Sequence, residues 1–234
     1  YCECVASQER ATFLEKAPVL SVRLAMLEAV GDFDQALDLC LTYLRALGCG
    51  FTRQKFIRKS MICAYVKETK EKFIPSIDQI KTMNTVVDPV ILQTVQLLEY
   101  GGSLAYLQPD VDLYEMMRCR LVRLLFERGL FDEAGITLAS FSGVLMHRYG
   151  DFEKARELAE LAMAVQDCLP SLAFKPRTIV TNHVYVFGWI QPVHSQMKHF
   201  MEAYNLALRV GKTFLVGSSL MWYVNVCLVA GIEL

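Results

Sequence analysis

The sequence has none of the short motifs that would assign it a chemistry. There is no G-x-x-x-x-G-K-[ST] loop to cradle phosphates, and "GCGF" at Gly48 is too short for a dinucleotide fingerprint. The four histidines, His147, His183, His194 and His199, form no H-E-x-x-H. His194 and His199 stand five apart, out of register for paired metal ligands on one helix face. Ser103, Ser140, Ser142, Ser195 and Ser219 lack a nucleophile-elbow context, and Asp110, Asp112 and Glu115 read as first-turn residues that favour a helix dipole. No catalytic residue, cofactor or metal ligand is therefore assigned, and the expectation is that these residues do not form an enzyme.

Cysteine pairing is also missing. The eight cysteines, Cys2, Cys4, Cys40, Cys49, Cys63, Cys119, Cys168 and Cys227, include no C-x-x-C, and most sit among apolar residues where a thiol acts as a small hydrophobe. No N-x-[ST] acceptor occurs. These features predict a reducing, cytoplasmic setting. An excess of charge of one sign is missing too: 24 Lys and Arg stand against 25 Asp and Glu, a formal net charge of −1, so no global field holds the chain on nucleic acid or an anionic membrane. The basic run Arg53, Lys55, Arg58, Lys59, Lys67, Lys70 and Lys72 reads as a solvated helix face, the sharper alternative being an acidic or phosphate-rich partner. The chain opens on Tyr1, and "CLVAGIEL" closes it while an apolar pattern still runs, which predicts a piece of a longer protein.

What is present is helical periodicity. With 234 residues and 53% hydrophobic content, the chain can bury a substantial core. Phe33, Ala36, Leu37, Cys40, Leu41 and Leu44 recur at spacings of three and four, as do Phe152, Ala155, Leu158, Ala159, Ala162 and Val165. A third stripe runs through Phe200, Ala203, Tyr204, Ala207 and Leu208 to Gly211. The first two stripes share an opening, "GDFDQA" from Gly31 and "GDFEKA" from Gly150, with a shorter echo, "GLFDEA", at Gly129. Its grammar is physical. Gly31 and Gly150 end one helix at positive φ, Asp32 and Asp151 cap the next, Phe33 and Phe152 enter the core, and Ala36 and Ala155 admit a close neighbour.

The predicted helices cover about 3 to 16, 18 to 30, 33 to 47, 53 to 72, 75 to 82, 89 to 106, 111 to 128, 132 to 148, 151 to 167, 177 to 190, 193 to 210 and 213 to 231, within two to four residues at each end. Asp88 as N-cap and Pro89 at the first helical position mark one start; Pro18, Pro75, Pro109, Pro170, Pro176 and Pro192 sit at or near others. "IVTNHVYVFGW" from Ile179 is rich in β-branched and aromatic residues and is where the helical reading is weakest, and "WIQPVHS" is the most unusual string, read as Trp189 filling the core and Pro192 starting a helix. The fold class these patterns imply is all-α, an α-solenoid of antiparallel helix pairs, tetratricopeptide-like and irregular. Its expected organisation is the end of a preceding repeat in 1–30, degenerate repeats in 31–128 and tetratricopeptide-like repeats in 129–234. Gly129 and Gly150 are 21 residues apart rather than a full repeat of about 34, so the array is degenerate.

One segment admits a membrane reading. From Thr213 to Ile232, "TFLVGSSLMWYVNVCLVAGI" passes without a charge and is long enough to span a bilayer. Gly217, Ser218, Ser219 and Asn225 favour instead a helix buried in a stack, and no cluster of Lys or Arg comes after it to set orientation.

From about Gly31 onward the chain resembles the degenerate tetratricopeptide-like helical segment of large multidomain predicted-ATPase signalling proteins. The resemblance rests on "GDFDQALDLCLTYLRALGCGF", "VVDPVILQTVQLL" followed by "SLAYL", "MMRCRLVRLLFERG", "VLMHRYGDFEKARELAELAMA", "GWIQP" and "AYNLALRVGK", in that order. In that family the segment lies between a nucleotide-binding module and output domains such as histidine kinases or nucleotide cyclases. The resemblance implies a connector or sensor that contacts a protein, a peptide or its neighbouring domains, and it lends no catalytic residue. The expected function is a non-catalytic interaction or regulatory segment; the alternative is a membrane-associated helical protein with a span at 213–232.

Overall fold

A computed structural model describes residues 13–52 and 54–232. Its helices are α1 (Phe13–Ala29), α2 (Phe33–Ala46), α3 (Lys55–Lys72), α4 (Ile77–Thr82), α5 (Pro89–Leu107), α6 (Val111–Arg128), α7 (Ala134–Tyr149), α8 (Phe152–Cys168), α9 (Lys175–Asn182), α10 (Met197–Arg209) and α11 (Thr213–Val229). Among the described residues there is no β-strand, so the chain is all-α. It divides into two compact units. Of the described residues, the first comprises those up to Phe73 together with Thr85–Arg128, and the second comprises Ile74–Asn84 together with those from Gly129 onward. Within each, consecutive helices pack as pairs: α1 on α2 and α5 on α6 in the first, α7 on α8 and α10 on α11 in the second. This is the packing mode of an irregular, tetratricopeptide-like solenoid.

The turn grammar explains the pairs. Gly31 and Gly150 take φ of 77° and 62°, and the next residue's N–H reaches back into the finished helix, Asp32 to Leu27 and Asp151 to Leu145. Each aspartate then caps the next helix, Asp32 accepting from the Gln35 N–H at 3.1 Å and Asp151 from Lys154 at 3.2 Å. Ala36 and Ala155 are wholly buried, as the spacing requires. Asp151→Ala, or Asp32→Ala, is expected to lower the denaturation midpoint by an amount worth about 1 kcal/mol, with far-UV dichroism unchanged.

The aromatic of the motif behaves differently from expectation. Phe152 is 59% exposed and Phe33 only half-buried. Both occupy the first helical position, where the Cα–Cβ bond tilts toward the N-terminus and carries the ring past the end of the packed neighbour. In the echo at Gly129 the aromatic, Phe131, is buried. Pro18 does not break a helix but lies inside α1, five residues from its described start; the predicted helix at 3 to 16 falls mostly outside the described residues.

The β-rich string after Ile179 is helical. From α9 the chain passes into one π-helical turn, His183–Phe187, where the Gly188 N–H donates to the His183 carbonyl five residues back, and a last turn, Gly188–Ile190, completes the segment. A Cβ on Gly188 would stand 2.6 Å from that carbonyl oxygen. The inserted residue rotates the downstream chain by about 100°. It carries Trp189 and Ile190 off the buried face, so Trp189 is 69% exposed rather than in the core. Pro192 then precedes a 3₁₀ turn, Val193–Gln196, that leads into α10.

In the first unit, the paired glycines Gly101 and Gly102 sit mid-helix in α5, where each costs about 1 kcal/mol relative to alanine. A Cβ on Gly102 would lie 2.6 Å from Arg118 Nη2, and one on Gly101 would lie 2.9 Å from Cys40 Sγ. The glycines make room for α6 and α2. Through that gap Arg118 reaches Glu99 in a buried ion pair and lies 4.9 Å from the Tyr114 ring centroid. Burial opposes the arginine's charge, but the Glu99 carboxylate outweighs it and raises its pKa. Burial also pushes the Cys40 and Cys119 thiols up to about 12, so both remain protonated core groups.

Candidate functional site

The second unit carries an open groove of about 570 Å³ between the segment entering α4 and one face of α8. The first wall is Ile74, Pro75, Ser76, Ile77 and Gln79; the second is Lys154, Glu157, Leu158, Glu160, Leu161 and Ala164. Local chemistry fixes both. Pro75 holds the chain extended ahead of Ser76, whose hydroxyl accepts from the Gln79 N–H at 3.2 Å while Gln79 Oε1 accepts from the Ser76 N–H at 2.8 Å, a closed capping box. On α8, positions 154, 157, 158, 161 and 164 share one face by helical spacing. Leu158 is buried in the floor and Leu161 and Ala164 are half-buried.

The rim is polar and largely self-neutralised. Lys154 Nζ donates to Glu157 at 2.8 Å, and Arg156 Nε donates to Glu160 at 2.9 Å. Exposed pairs of this kind contribute little to stability, so they remain available to exchange partners with an incoming chain. An apolar trough with an exchangeable charged rim suits an apolar side chain carried on a polar peptide backbone.

Beside α10, the string "WIQPVHS" joins the buried Gln196 and His183 in a polar cluster that the sequence did not reveal. Gln196 Nε2 donates to Gln191 Oε1 at 3.2 Å and to Ser195 Oγ at 3.0 Å, and the Ser195 hydroxyl donates to the Pro192 carbonyl at 2.6 Å. With its amide nitrogen so engaged, Gln196 presents Oε1 to His183 Nδ1, which therefore carries the proton. The His199 ring stacks on His183 with centroids 4.1 Å apart, and His199 Nδ1 lies 3.9 Å from Glu202. Phe187 and Phe200 close the other sides.

Burial pulls the His183 pKa down to about 4, against the Gln196 hydrogen bond and with help from His199 and Lys198. His199 moves down as well, mainly by desolvation. The unfolded imidazole takes its proton near 6.5 and the folded one only near 4, so the unfolded state binds more protons throughout that window. Stability is therefore expected to hold above about pH 7 and to fall by up to about 3 kcal/mol as the pH drops from 6.5 toward 4. Denaturant titrations across that range check this; His183→Leu should flatten the slope.

Above the cluster, His147 Nε2 donates to the Tyr185 carbonyl at 2.8 Å and its ring meets Trp189 edge-on at 5.6 Å. Trp189 thus forms an exposed aromatic edge braced by α7. The residues singled out by the repeated motif fall in different units. Gly31, Asp32, Phe33 and Ala36 belong to the first unit, and Gly150, Asp151, Phe152 and Ala155 to the second. Each set builds a helix junction; in the second, α8 continues from Asp151 to form the groove wall.

Among the described residues no group of three His, Cys, Asp or Glu side chains is placed to hold a metal ion. No helix among them is long and apolar enough to cross a membrane. Cys40, Cys49, Cys63, Cys119, Cys168 and Cys227 are free thiols. No protein-family model and no curated protein matches this chain.

Proposed function

We propose that the chain is a non-catalytic helical-repeat interaction module that takes an extended or helical peptide segment in the groove between the α4 entry and α8. The observation that supports this most is the groove's composition: Ile77, Leu158, Leu161 and Ala164 beneath a rim of Lys154, Glu157 and Glu160. In the multidomain ATPase-type signalling proteins that the sequence resembles, such a segment connects a nucleotide-binding module to output domains. On this reading the bound segment comes from a partner or from a neighbouring domain of the same polypeptide, in a cytoplasmic setting. Helix pairs that contact mainly their neighbours can relay binding as a change in packing along the stack.

The reading is tested by selecting peptides from a displayed random library against the chain. Enriched peptides should share apolar anchors and bind with micromolar or tighter affinity. Leu161→Arg should weaken them at least tenfold while leaving helicity unchanged. An absence of enrichment, or binding that ignores Leu161→Arg, contradicts the proposal.

A further inference from the structure

The strip from Gly188 to His194 is exposed at every residue, and three of its side chains are large and apolar: Trp189, Ile190 and Val193. The π-helical turn before it is what turns Trp189 outward. Such turns are rare and concentrate at functional sites, and a tryptophan left in water forgoes the burial that its ring favours. Gly188 secures the turn, because a Cβ there would run into the His183 carbonyl.

The strip is also held in place before anything touches it. His147 meets the Trp189 ring edge-on and is itself tied to the Tyr185 carbonyl. Behind the strip, the Gln196 amide holds Gln191 and Ser195, and Ser195 holds the Pro192 carbonyl. An aromatic side chain fixed in this way loses little freedom when a partner closes over it, and tryptophans so placed dominate protein contacts.

Charge selects the partner. Between Asp167 and Glu202 the sequence contains no acidic residue, while Lys175, Arg177 and Lys198 fall there and His194 lies in the strip itself. α7, which braces Trp189, adds His147 and Arg148 and no acid. α11, which packs on the Val193–Gln196 turn, carries no charge. The acids of α8 are Glu153 in its first turn, Glu157 on Lys154, Glu160 on Arg156 and Asp167 on Lys175, with Asp151 as its cap. Glu202 lies 3.9 Å from His199. Lys198 is exposed and acts electrostatically on both His183 and His199. An apolar anchor in such surroundings complements an acidic segment and disfavours a basic one. Gln191 and His194 interrupt the apolar side chains, so the strip lacks the continuous apolar face that lies in a bilayer surface.

From this we infer that the Gly188–His194 strip is a docking site for an acidic peptide segment of a partner protein, Trp189 and Ile190 taking an apolar side chain of that segment and Lys198 its carboxylates. The strip shares no residue with the lining of the α4–α8 groove, so it stands or falls independently of the proposed function.

The test selects peptides against the whole chain from two displayed libraries of short peptides. One is built from Asp, Glu, Leu, Ile, Phe, Gly and Ser; the other has Lys and Arg in place of the acids. Enrichment is expected from the acidic library alone. Affinity should fall about tenfold or more in Trp189→Ala, fall several-fold in Lys198→Glu, weaken with added salt and be unchanged in Leu161→Arg. A second readout does not depend on Trp189→Ala folding normally. In Trp222→Phe the ring at 189 is the only tryptophan left, and its emission should shift to the blue when the enriched peptide is added. Enrichment from the basic library alone or from neither overturns the inference. So does an acidic peptide that is lost in Leu161→Arg and kept in Trp189→Ala, or a blue shift produced by phosphatidylserine vesicles and not by the peptide.

Discussion

Arg118→Met is expected to destabilise the first unit by about 3–5 kcal/mol, enough to unfold it or to shift its midpoint far down a denaturant titration. The guanidinium is 1% exposed, faces Glu99 in the interior and sits beneath Gly102. Removing it strips the Glu99 carboxylate of the countercharge that offsets its desolvation. The double variant Arg118→Met with Glu99→Leu should recover most of the loss, because a buried pair contributes little beyond what its two charges need from each other. Gly102→Ala should fail for a related reason: its methyl would have to displace Arg118 Nη2 from 2.6 Å. If Arg118→Met cost no more than a surface substitution, the buried pair would not be what holds α5 on α6.

Gly129→Ala is expected to cost the second unit on the order of 3 kcal/mol, against about 1 kcal/mol for Gly150→Ala. In the sequence the two glycines look alike, each at the head of a Gly-x-Phe or Gly-x-x-acid turn. Both have positive φ, 109° at Gly129 and 62° at Gly150. Their surroundings differ. A Cβ at Gly150 meets nothing within 4 Å, whereas one at Gly129 would lie 2.2 Å from the backbone oxygen of Asn84, the same oxygen that accepts from the Leu130 N–H at 2.9 Å. The alanine at 129 must break that hydrogen bond or move the backbone that trails α4. Parallel urea titrations of the two variants, read as midpoints, check the ordering; equal losses would contradict it.

The local rules account for what the sequence made legible. Asp32, Asp88 and Asp151 cap helices because a short carboxylate next to a turn can reach only the free N–H groups ahead of it, so their role is written within four residues. The three-and-four spacing of Ala155, Leu158, Ala159 and Ala162 likewise fixes a buried face without knowledge of what covers it. Relations across many residues were not legible. Gly101 and Gly102 made sense only once Arg118 and Cys40 were beside them. The single π-helical turn at His183–Phe187 shifted the phase that had placed Trp189 inside, and nothing in the periodicity of "IVTNHVYVFGW" announces an inserted residue. The groove joins Ile74–Gln79 to α8 across some eighty residues of chain, so neither wall indicates the other.

The most direct test of the interaction-module account is amide chemical-shift mapping of the nitrogen-15-labelled chain with a peptide taken from the library selection. The account predicts that the largest perturbations fall on Ile77 and Gln79 of one wall and on Lys154, Glu157, Leu161 and Ala164 of the other. Perturbations confined to the first unit, or to the α11 face, would contradict it.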